Sequence, residues 1–275
     1  MRRSLWKGLS WWLTLLASTH ISAGTISLAW TPAAGASGYH VYYGTRSGTY
    51  TQSRDVGAST ETTVDGLTDC ANWYVAVKAY NSSGESPSFS NEITGWPRPR
   101  VNAPTPSAQL QGSEFTLQIG GSNFQAGATV EIDNSNVHFA SVDVVDCDTI
   151  HLAATVEPTA SGVRAAEVGR FTVSVTNPDQ TFGTHADAFE VQIDPARFDI
   201  NQSDSSTRNR VDGKDTVWLS RLFGSSETDS IYDPDFDLDG DGWVDGQDLS
   251  YVASNLGKCW SGTASSWTSC PSSRP

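Results

Sequence analysis

Apolar and polar residues alternate in short runs along most of the chain up to about residue 192, which is the pattern of half-buried β-strands. The segments 26–30, 39–43 and 73–79 place apolar side chains at every second position. Similar runs recur within 115–132 and 171–180, and turn residues separate them. Because helical spacing is scarce in this region, the pattern predicts two all-β sandwiches.

The last part of the chain changes to helical spacing. The segments 215–224 and 248–257 each place apolar residues on one face and end in a glycine, which accepts a left-handed backbone. The apolar residues are Leu219, Leu222, Phe223, Val252 and Leu256. Two short helices with one apolar face each are expected to pack on each other. The predicted architecture is therefore two sandwiches followed by a small α-helical module.

The run DLDGDGWVDGQD, residues 237–248, has the spacing of a calcium-binding loop. Oxygen ligands are expected from five carboxylates and one backbone carbonyl, and Gly242 at the sixth position permits the sharp turn. The predicted ligands are Asp237, Asp239, Asp241, Trp243, Asp245 and Asp248. Calcium fits this set better than magnesium, which prefers a tight octahedron. The alternative is a solvated acidic loop, but such a loop rarely has this glycine or an aliphatic residue at position eight.

The helical part contains an internal repeat. VDGKD at 211–215 matches VDGQD at 244–248, 33 residues further on. Together with the loop, this repeat resembles a dockerin, a small module of two calcium-loop and helix repeats that binds a cohesin partner. The resemblance covers about 198–258, and 194–258 is interpreted as this domain. It implies calcium as the cofactor and a cohesin-like or other extracellular protein as the partner.

The first repeat departs from the dockerin pattern, because its loop is about five residues too long. The ligands implied there are Asp199, Asn201, Asp212 and Asp215. If the register starts instead at Asp204, Arg208 falls on a ligand position. The alternative is a degenerate half that keeps its helix for packing and holds no ion. One calcium ion is therefore predicted, and a second remains open.

The amino terminus predicts export. Residues 1–23 combine a basic start, a short apolar stretch at 9–17 and small residues before Gly24, which is typical of a secretory signal peptide. The apolar stretch is shorter than the ~20 residues that span a bilayer. The formal charge of −14 becomes −17 without this segment and disfavours nucleic acid and anionic membranes as partners. We therefore expect an extracellular or cell-surface protein.

The four cysteines agree with export, because an even number suits disulfides. Cys259 and Cys270 bracket a Ser/Thr/Trp-rich tail, 259–275, and predict a local disulfide. Cys70 and Cys147 fall in two different predicted domains. They either join those domains or stay as separate thiols.

Two family resemblances refine the β-region. Residues 24–97, with GYHVYYG and the alternation that begins at Trp73, resemble a bacterial fibronectin type III domain. Trp73 takes the inward place where the tyrosine corner of such domains usually begins. Residues 107–192, with FTLQIGGSNFQAGATVEI and FTVSVTNPDQ, resemble an IPT/TIG domain, another immunoglobulin-like sandwich. The Pro-rich segment 98–106 is interpreted as a semi-rigid linker.

Candidate binding residues lie on the helices and on the first sandwich. On the helices, Trp218, Arg221 and Tyr251 are candidates for partner contact, although Trp218 also suits the core. On the sandwich, aromatic side chains either stack on sugars or stabilise the sheet as cross-strand pairs. These aromatic residues are Tyr42, Tyr74 and Tyr80.

Catalysis finds little support, because the histidines lack a nucleophile-elbow context and calcium already explains the acidic cluster. We therefore expect a noncatalytic exported protein that docks through its C-terminal module, with the sandwiches as spacer or binding modules. The competing interpretation is a structural surface protein or adhesin that binds polysaccharide or its own copies, with calcium only rigidifying the chain end. An accessory component of polysaccharide degradation is a third interpretation.

Overall fold

The computed structural model describes residues 24–157, 165–200, 210–259 and 268–270, together with the backbone of 15–16. Three hydrophobic cores organise the described residues into two sandwiches and a C-terminal module. Among them, no helix is long and apolar enough to cross a membrane.

Two sheets form the first sandwich, as the alternation predicts. One sheet contains β1 (Leu15–Leu16), β2 (Ile26–Trp30) and β5 (Glu61–Val64), and the other contains β3 (Gly38–Gly44), β4 (Gln52–Asp55), β6 (Trp73–Asn81), β7 (Gly84–Glu85) and β8 (Ile93–Gly95). Leu28 and Val64 from one sheet meet Val41 and Val75 from the other in a shared core. Strand β1 falls inside the predicted signal peptide, whose other residues lie outside the described part of the chain.

Trp73 replaces the tyrosine of the usual corner. Its side chain is 3% exposed, and its indole Nε1–H donates a hydrogen bond to the backbone carbonyl of Thr68 at 3.2 Å. A tyrosine corner forms the same kind of bond to the backbone a few residues upstream. An indole therefore supplies the hydrogen bond that a phenol supplies in related domains.

The second sandwich has two four-stranded sheets. One orders β10 (Ala108–Leu110), β16 (Phe182–Gln192), β15 (Gly169–Thr176) and β12 (Thr129–Ile132), and the other orders β13 (Val137–Val144), β14 (Thr149–Val156), β11 (Glu114–Ser122) and β9 (Arg100–Val101). Strands β10 and β16 are parallel, and the other pairings in these two sheets are antiparallel. Phe124, Leu117 and Phe189 are buried between the sheets.

A disulfide joins the two sandwiches. Cys70 and Cys147 are bonded with a Cα–Cα distance of 5.7 Å, which selects one of the two possibilities that the sequence left open. Beside this bond, buried Asn123 accepts a hydrogen bond from the backbone N–H of Cys70 at 2.7 Å and donates one to the carbonyl of Arg98 at 3.1 Å. The segment 98–106 contains β9, which pairs with β11. This segment therefore packs on the second sandwich and does not span a gap as a linker.

The C-terminal module, residues 194–200 and 210–259, contains the three helices of the described part of the chain. They are a 3₁₀ helix (Pro195–Phe198), α1 (Gly213–Ser220) and α2 (Gly246–Asn255), followed by the strand pair β17 (Lys258–Cys259) and β18 (Thr268–Ser269). Helices α1 and α2 contact each other, as expected. The predicted disulfide between Cys259 and Cys270 is present, with a Cα–Cα distance of 4.9 Å.

Both helices begin two residues earlier than the helical spacing predicts. Asp212 caps α1 and Asp245 caps α2. Asp215 and Asp248 complete a capping box in each helix by accepting the backbone N–H of the cap residue. Four residues assigned to ligand positions therefore also determine where the helices begin.

Two of the predicted apolar positions do not face the core. Phe223 is 53% exposed and Leu256 is 46% exposed. The reason is that α1 ends at Ser220 and α2 at Asn255, so neither side chain belongs to a helical face. The other three predicted residues pack in the module core or against it.

Candidate metal centre

Three aspartates of the predicted calcium loop lie together in the interior. Asp237, Asp239 and Asp248 are at most 2% exposed, and a carboxylate oxygen from each lies within 4.8 Å of the others. Within the described ranges, this is the one group of three acidic, histidine or cysteine side chains whose ligand atoms lie within that distance of one another. Positions one, three and twelve of the loop therefore meet at one point.

Backbone N–H groups hold the loop around Asp237. Its carboxylate accepts hydrogen bonds from Gly240 at 2.8 Å and Gly242 at 2.9 Å, and both glycines have positive φ, 75° and 94°. The hydroxyl of Tyr232 donates to the same carboxylate at 2.6 Å. The glycine predicted at position six is thus needed, because its left-handed backbone aims the N–H at the first ligand.

Asp248 ties the two ends of the loop together. Its Oδ1 accepts the N–H of Leu238 at 2.7 Å, and its Oδ2 accepts the N–H of Asp245 at 2.7 Å. Leu238 stands at the start of the loop and Asp245 caps α2. The cluster is therefore coupled directly to the first turn of α2.

Asp239 lies where its charged form is disfavoured. Burial, together with the carboxylates of Asp248 and Asp241, raises the pKa of Asp239 to about 7. Burial also raises the pKa of Asp248 to about 6, although its backbone hydrogen bonds oppose the shift. The Oδ2 atom of Asp239 is buried and has no hydrogen-bond partner. A buried acceptor without a partner costs about 1–3 kcal/mol, and a bound cation would remove that cost.

The donor set fits a hard divalent cation. Carboxylate oxygens are the ligands of calcium and magnesium, and calcium tolerates irregular geometry better. The carboxylates of the predicted ligands Asp241 and Asp245 do not belong to this three-residue cluster. Asp241 accepts the N–H of Trp243 at 2.8 Å, Asp245 accepts that of Gln247 at 2.7 Å, and the backbone of Trp243 forms a β-bridge with Ser226.

The first repeat does not form a comparable cluster among its described residues. Asp212 accepts the N–H of Lys214 at 2.8 Å, and Asp215 accepts the N–H of Asp212 at 2.7 Å. Asp199 and Asp215 are both buried, and among the residues that the structure describes neither belongs to a group of three clustered carboxylates. The predicted ligand Asn201 and the alternative register at 204–208 lie outside the described residues.

Sequence spacing missed two side chains beside the loop, Arg197 and Gln111. The Arg197 guanidinium donates to the carbonyls of Asp237 at 2.7 Å and Leu238 at 2.8 Å, and to Oε1 of Gln111 at 2.6 Å. Burial lowers the pKa of Arg197, and the carboxylate of Asp237 opposes this shift. Both residues stand far from the loop in sequence, so no motif spacing identifies them.

The three predicted partner-contact residues do not share one face. Trp218 is 39% exposed, and the guanidinium of Arg221 lies 4.2 Å from the centre of its ring. Both line a groove with Leu222, Ile231, Tyr232, Asp233, Pro234 and Phe236. Tyr251 instead stacks on Phe198 with ring centres 6.5 Å apart, and it lines a cavity against the second sandwich.

Two of the tyrosines considered for sugar stacking make polar contacts on the first sandwich. The Tyr42 hydroxyl donates to Glu85 at 2.8 Å, and its ring meets the edge of Phe89 at 5.1 Å. The Tyr80 hydroxyl donates to Asp55 at 3.1 Å. These contacts favour sheet stabilisation as the role of both tyrosines. Tyr74 is half-buried on β6.

Comparison with known families identifies the first sandwich. The sequence model of the fibronectin type III domain matches residues 14–96, which include β1 and begin ahead of the predicted boundary at 24. This region is a fibronectin type III domain, a class that is typically non-catalytic. No curated protein matches the chain.

Several solved structures are similar over part of the chain. They include titin kinase and its flanking domains (12% identity, 52% of this chain, 36% of that chain, TM-score 0.25), the FN1–FN3 domains of chicken CNTN1 (14%, 62%, 62%, 0.25) and a type II cohesin-X-dockerin complex from Acetivibrio cellulolyticus (21%, 48%, 82%, 0.21). The matched region thus spans less than two thirds of the length of the titin kinase and CNTN1 chains. The fold of this chain is mostly β-sandwich. Its two disulfides, together with the fibronectin type III domain, indicate an extracellular protein.

Proposed function

We propose that the C-terminal module is a dockerin-like unit that binds one calcium ion and docks on a cohesin-like extracellular protein, with the two sandwiches as its cargo or spacer. The observation that carries the proposal is Asp239. Its Oδ2 atom is buried without a partner inside a cluster of three carboxylates at calcium-loop spacing. Buried polar atoms nearly always have partners, so this oxygen is available to a ligand.

The loop and the helices make the site responsive to its ion. Calcium supplies the positive charge that lets three neighbouring carboxylates remain ionised. Asp248 belongs both to the cluster and to the capping box of α2. Since α2 packs on α1, order at the cluster extends to the helix that presents Trp218.

The groove beside α1 is the docking face in this proposal. It has a volume of about 480 Å³ and combines apolar side chains with the paired Trp218 and Arg221. Tryptophan and arginine are enriched among the residues that dominate binding energy at protein interfaces. Their mutual contact holds both side chains in place before a partner arrives.

Calcium titration of the full chain by calorimetry tests the metal site, with a stoichiometry of one ion expected. The informative variant is Asp239→Asn, and Asp143→Asn, an exposed carboxylate on β13, is the matched control. Without calcium, Asp239→Asn should stabilise the module, because a buried charge is removed. With calcium, it should weaken binding. If calcium titration of the wild-type chain gave no heat of binding, the proposal would be rejected.

Docking is tested separately with a panel of purified cohesin domains and the calcium-loaded full chain. Trp218→Ala should abolish binding to any cohesin that the wild type binds. Val217→Ala, which removes an exposed residue of the same helix outside the groove, should leave binding intact. Calcium binding without capture by any cohesin would favour a site that only rigidifies the chain end.

A further inference from the structure

Three consecutive carbonyls of the metal loop accept hydrogen bonds from groups outside the loop. That of Asp237 accepts from Arg197 at 2.7 Å, and that of Leu238 accepts from Arg197 at 2.8 Å and from Gln111 Nε2 at 3.1 Å. The carbonyl of Asp239 accepts the backbone N–H of Val168 at 2.6 Å. The main chain of this loop segment is thus held both by Arg197 of the module and by Gln111 and Val168 of the second sandwich.

The loop lies in backbone contact with the second sandwich. A Cβ atom on Gly240 would come within 2.8 Å of the carbonyl oxygen of Ala165 and 2.9 Å of that of Ala166. Gln111, which is 2% exposed, also donates to the carbonyl of Ala166 at 2.7 Å. Its side chain therefore bridges the sandwich and the loop within one buried network.

The hydrophobic core of the module is also shared with the sandwich. Ile193, directly after β16, belongs to the same buried cluster as Leu238 and Val252, and Val168 packs against it. Leu238 is fully buried, and its backbone N–H donates to Asp248. Leu238, which lies between the proposed ligands Asp237 and Asp239, thus belongs to the hydrophobic core that the module shares with the second sandwich.

Charge explains why an arginine suits this position. The guanidinium of Arg197 places a positive charge beside the cluster, because it bonds to the carbonyl of Asp237 at 2.7 Å. The three clustered aspartates and Arg197 together carry a formal charge of −2, which one divalent cation balances. An apolar residue at this position would remove the donor to the carbonyl of Asp237 and would leave the cluster more negative.

We propose that the metal site extends across the domain boundary: Arg197 and Gln111 are positioning residues for the loop, and ion binding locks the C-terminal module onto the second sandwich. This inference rests on the calcium binding proposed above. The same loop segment provides two ligands on one side and the domain contacts on the other. Coupling between ion binding and domain docking is therefore reciprocal, since each stabilises the same backbone.

Hydrogen exchange in the full wild-type chain, with calcium and with chelator, tests the coupling without any substitution. Calcium should slow exchange at the loop amides of Gly240 and Gly242. It should also slow exchange at Val168, whose amide belongs to the sandwich and bonds to Asp239. Protection confined to the loop amides would overturn the two-domain site and leave calcium binding intact.

Variants test the positioning role. Gln111→Ala and Arg197→Lys should each weaken calcium binding by about 10–100-fold, the range for residues that orient metal ligands. Gln118→Ala and Arg100→Lys, substitutions of exposed residues on the second sandwich, are the matched controls and should bind as the wild type does. Circular dichroism verifies that each variant is folded.

The outcomes separate the two proposals. Calcium binding by the wild type together with unchanged affinity in folded Gln111→Ala would reject the positioning role alone. No calcium binding by the wild type would reject the proposed function and this inference with it. Weaker binding in Gln111→Ala together with calcium protection of Val168 would support both.

Discussion

The two halves of the C-terminal repeat share a sequence block but differ in what surrounds them. In the second half, Asp248 joins a capping box to a buried carboxylate cluster. In the first half, Asp215 forms the same capping box without a described cluster around it. The capping box is therefore common to both halves. Among the described residues, the carboxylate cluster occurs in the second half, where the short, glycine-containing loop returns Asp237 and Asp239 to the helix.

The helix faces differ as well. Trp218 in α1 and Tyr251 in α2 occupy equivalent repeat positions, 33 residues apart. Trp218 lines an open groove, whereas Tyr251 stacks on Phe198 and faces the second sandwich. The second repeat thus contributes Tyr251 to the contact with the second sandwich. Within the proposed function, the first repeat is left to contact a partner.

The largest expected effect comes from removing the twelfth loop residue. Asp248→Ala deletes a cluster carboxylate and two backbone hydrogen bonds. Calcium affinity should therefore fall by more than the ~100-fold that is lost at most when a residue that only orients a metal ligand is replaced. Asp215→Ala deletes only the equivalent capping contact and should leave calcium affinity unchanged. Calorimetric titration of both variants checks the contrast. An equal loss of affinity in the two variants would show that the halves contribute alike.

The second effect concerns the shared core. Leu219→Ala should destabilise the module by about 2–5 kcal/mol, because Leu219 is fully buried and truncation leaves a cavity. Val252→Ala removes fewer atoms and should cost less, about 1–2 kcal/mol at ~0.8 kcal/mol per buried CH₂. Val217→Ala, 55% exposed on α1, is the control and should change stability by less than about 0.5 kcal/mol.

These losses of unfolding free energy are measured by denaturant unfolding of the full chain, with hydrogen exchange at the amides of α1 and α2 as the probe of the module. Similar small losses for Leu219→Ala and Val217→Ala would mean that the two helices do not share a packed core.

Local chemistry could be predicted from the sequence to a large extent. The alternation located the strands that contain Leu28, Val41 and Val75, and loop spacing identified the carboxylates that converge. The disulfide between Cys259 and Cys270 followed from its short separation. These features depend on residues that are near each other along the chain, where spacing determines geometry.

Long-range contacts could not be predicted. Gln111 reaches the carbonyl of Leu238 across 127 residues, and no local pattern marks a polar residue that will be buried in a domain joint. The end of α1 at Ser220 was missed because the apolar spacing continues to Phe223 although the helix does not. The segment 98–106 was predicted to be a linker from its prolines, yet β9 pairs with a strand of the second sandwich.

A smaller effect should distinguish the two helix faces. Tyr251→Ala loses its stacking on Phe198 and should destabilise the module by about 0.5–1.5 kcal/mol beyond the loss of buried area. Trp218→Ala should cost less stability, although it removes a larger side chain, because its ring lines an open groove. Thermal unfolding of the calcium-loaded chain compares them. A larger loss in Trp218→Ala would place Trp218 in the core, as the sequence alone also allowed.

The smallest effect separates capping from metal ligation at Asp245. This residue was predicted to be a ligand, but its carboxylate caps α2 by accepting the N–H of Gln247 at 2.7 Å and lies outside the cluster. Asparagine caps helices about as well as aspartate, so Asp245→Asn should change stability by less than about 0.5 kcal/mol. Its calcium affinity should also stay near that of the wild type, in contrast to Asp239→Asn. Asp212→Asn, the equivalent cap of α1, is the control for capping alone. A marked loss of calcium affinity confined to Asp245→Asn would mean that the ninth loop position contributes to ion binding, and the three-aspartate cluster would then be only part of the ligand set.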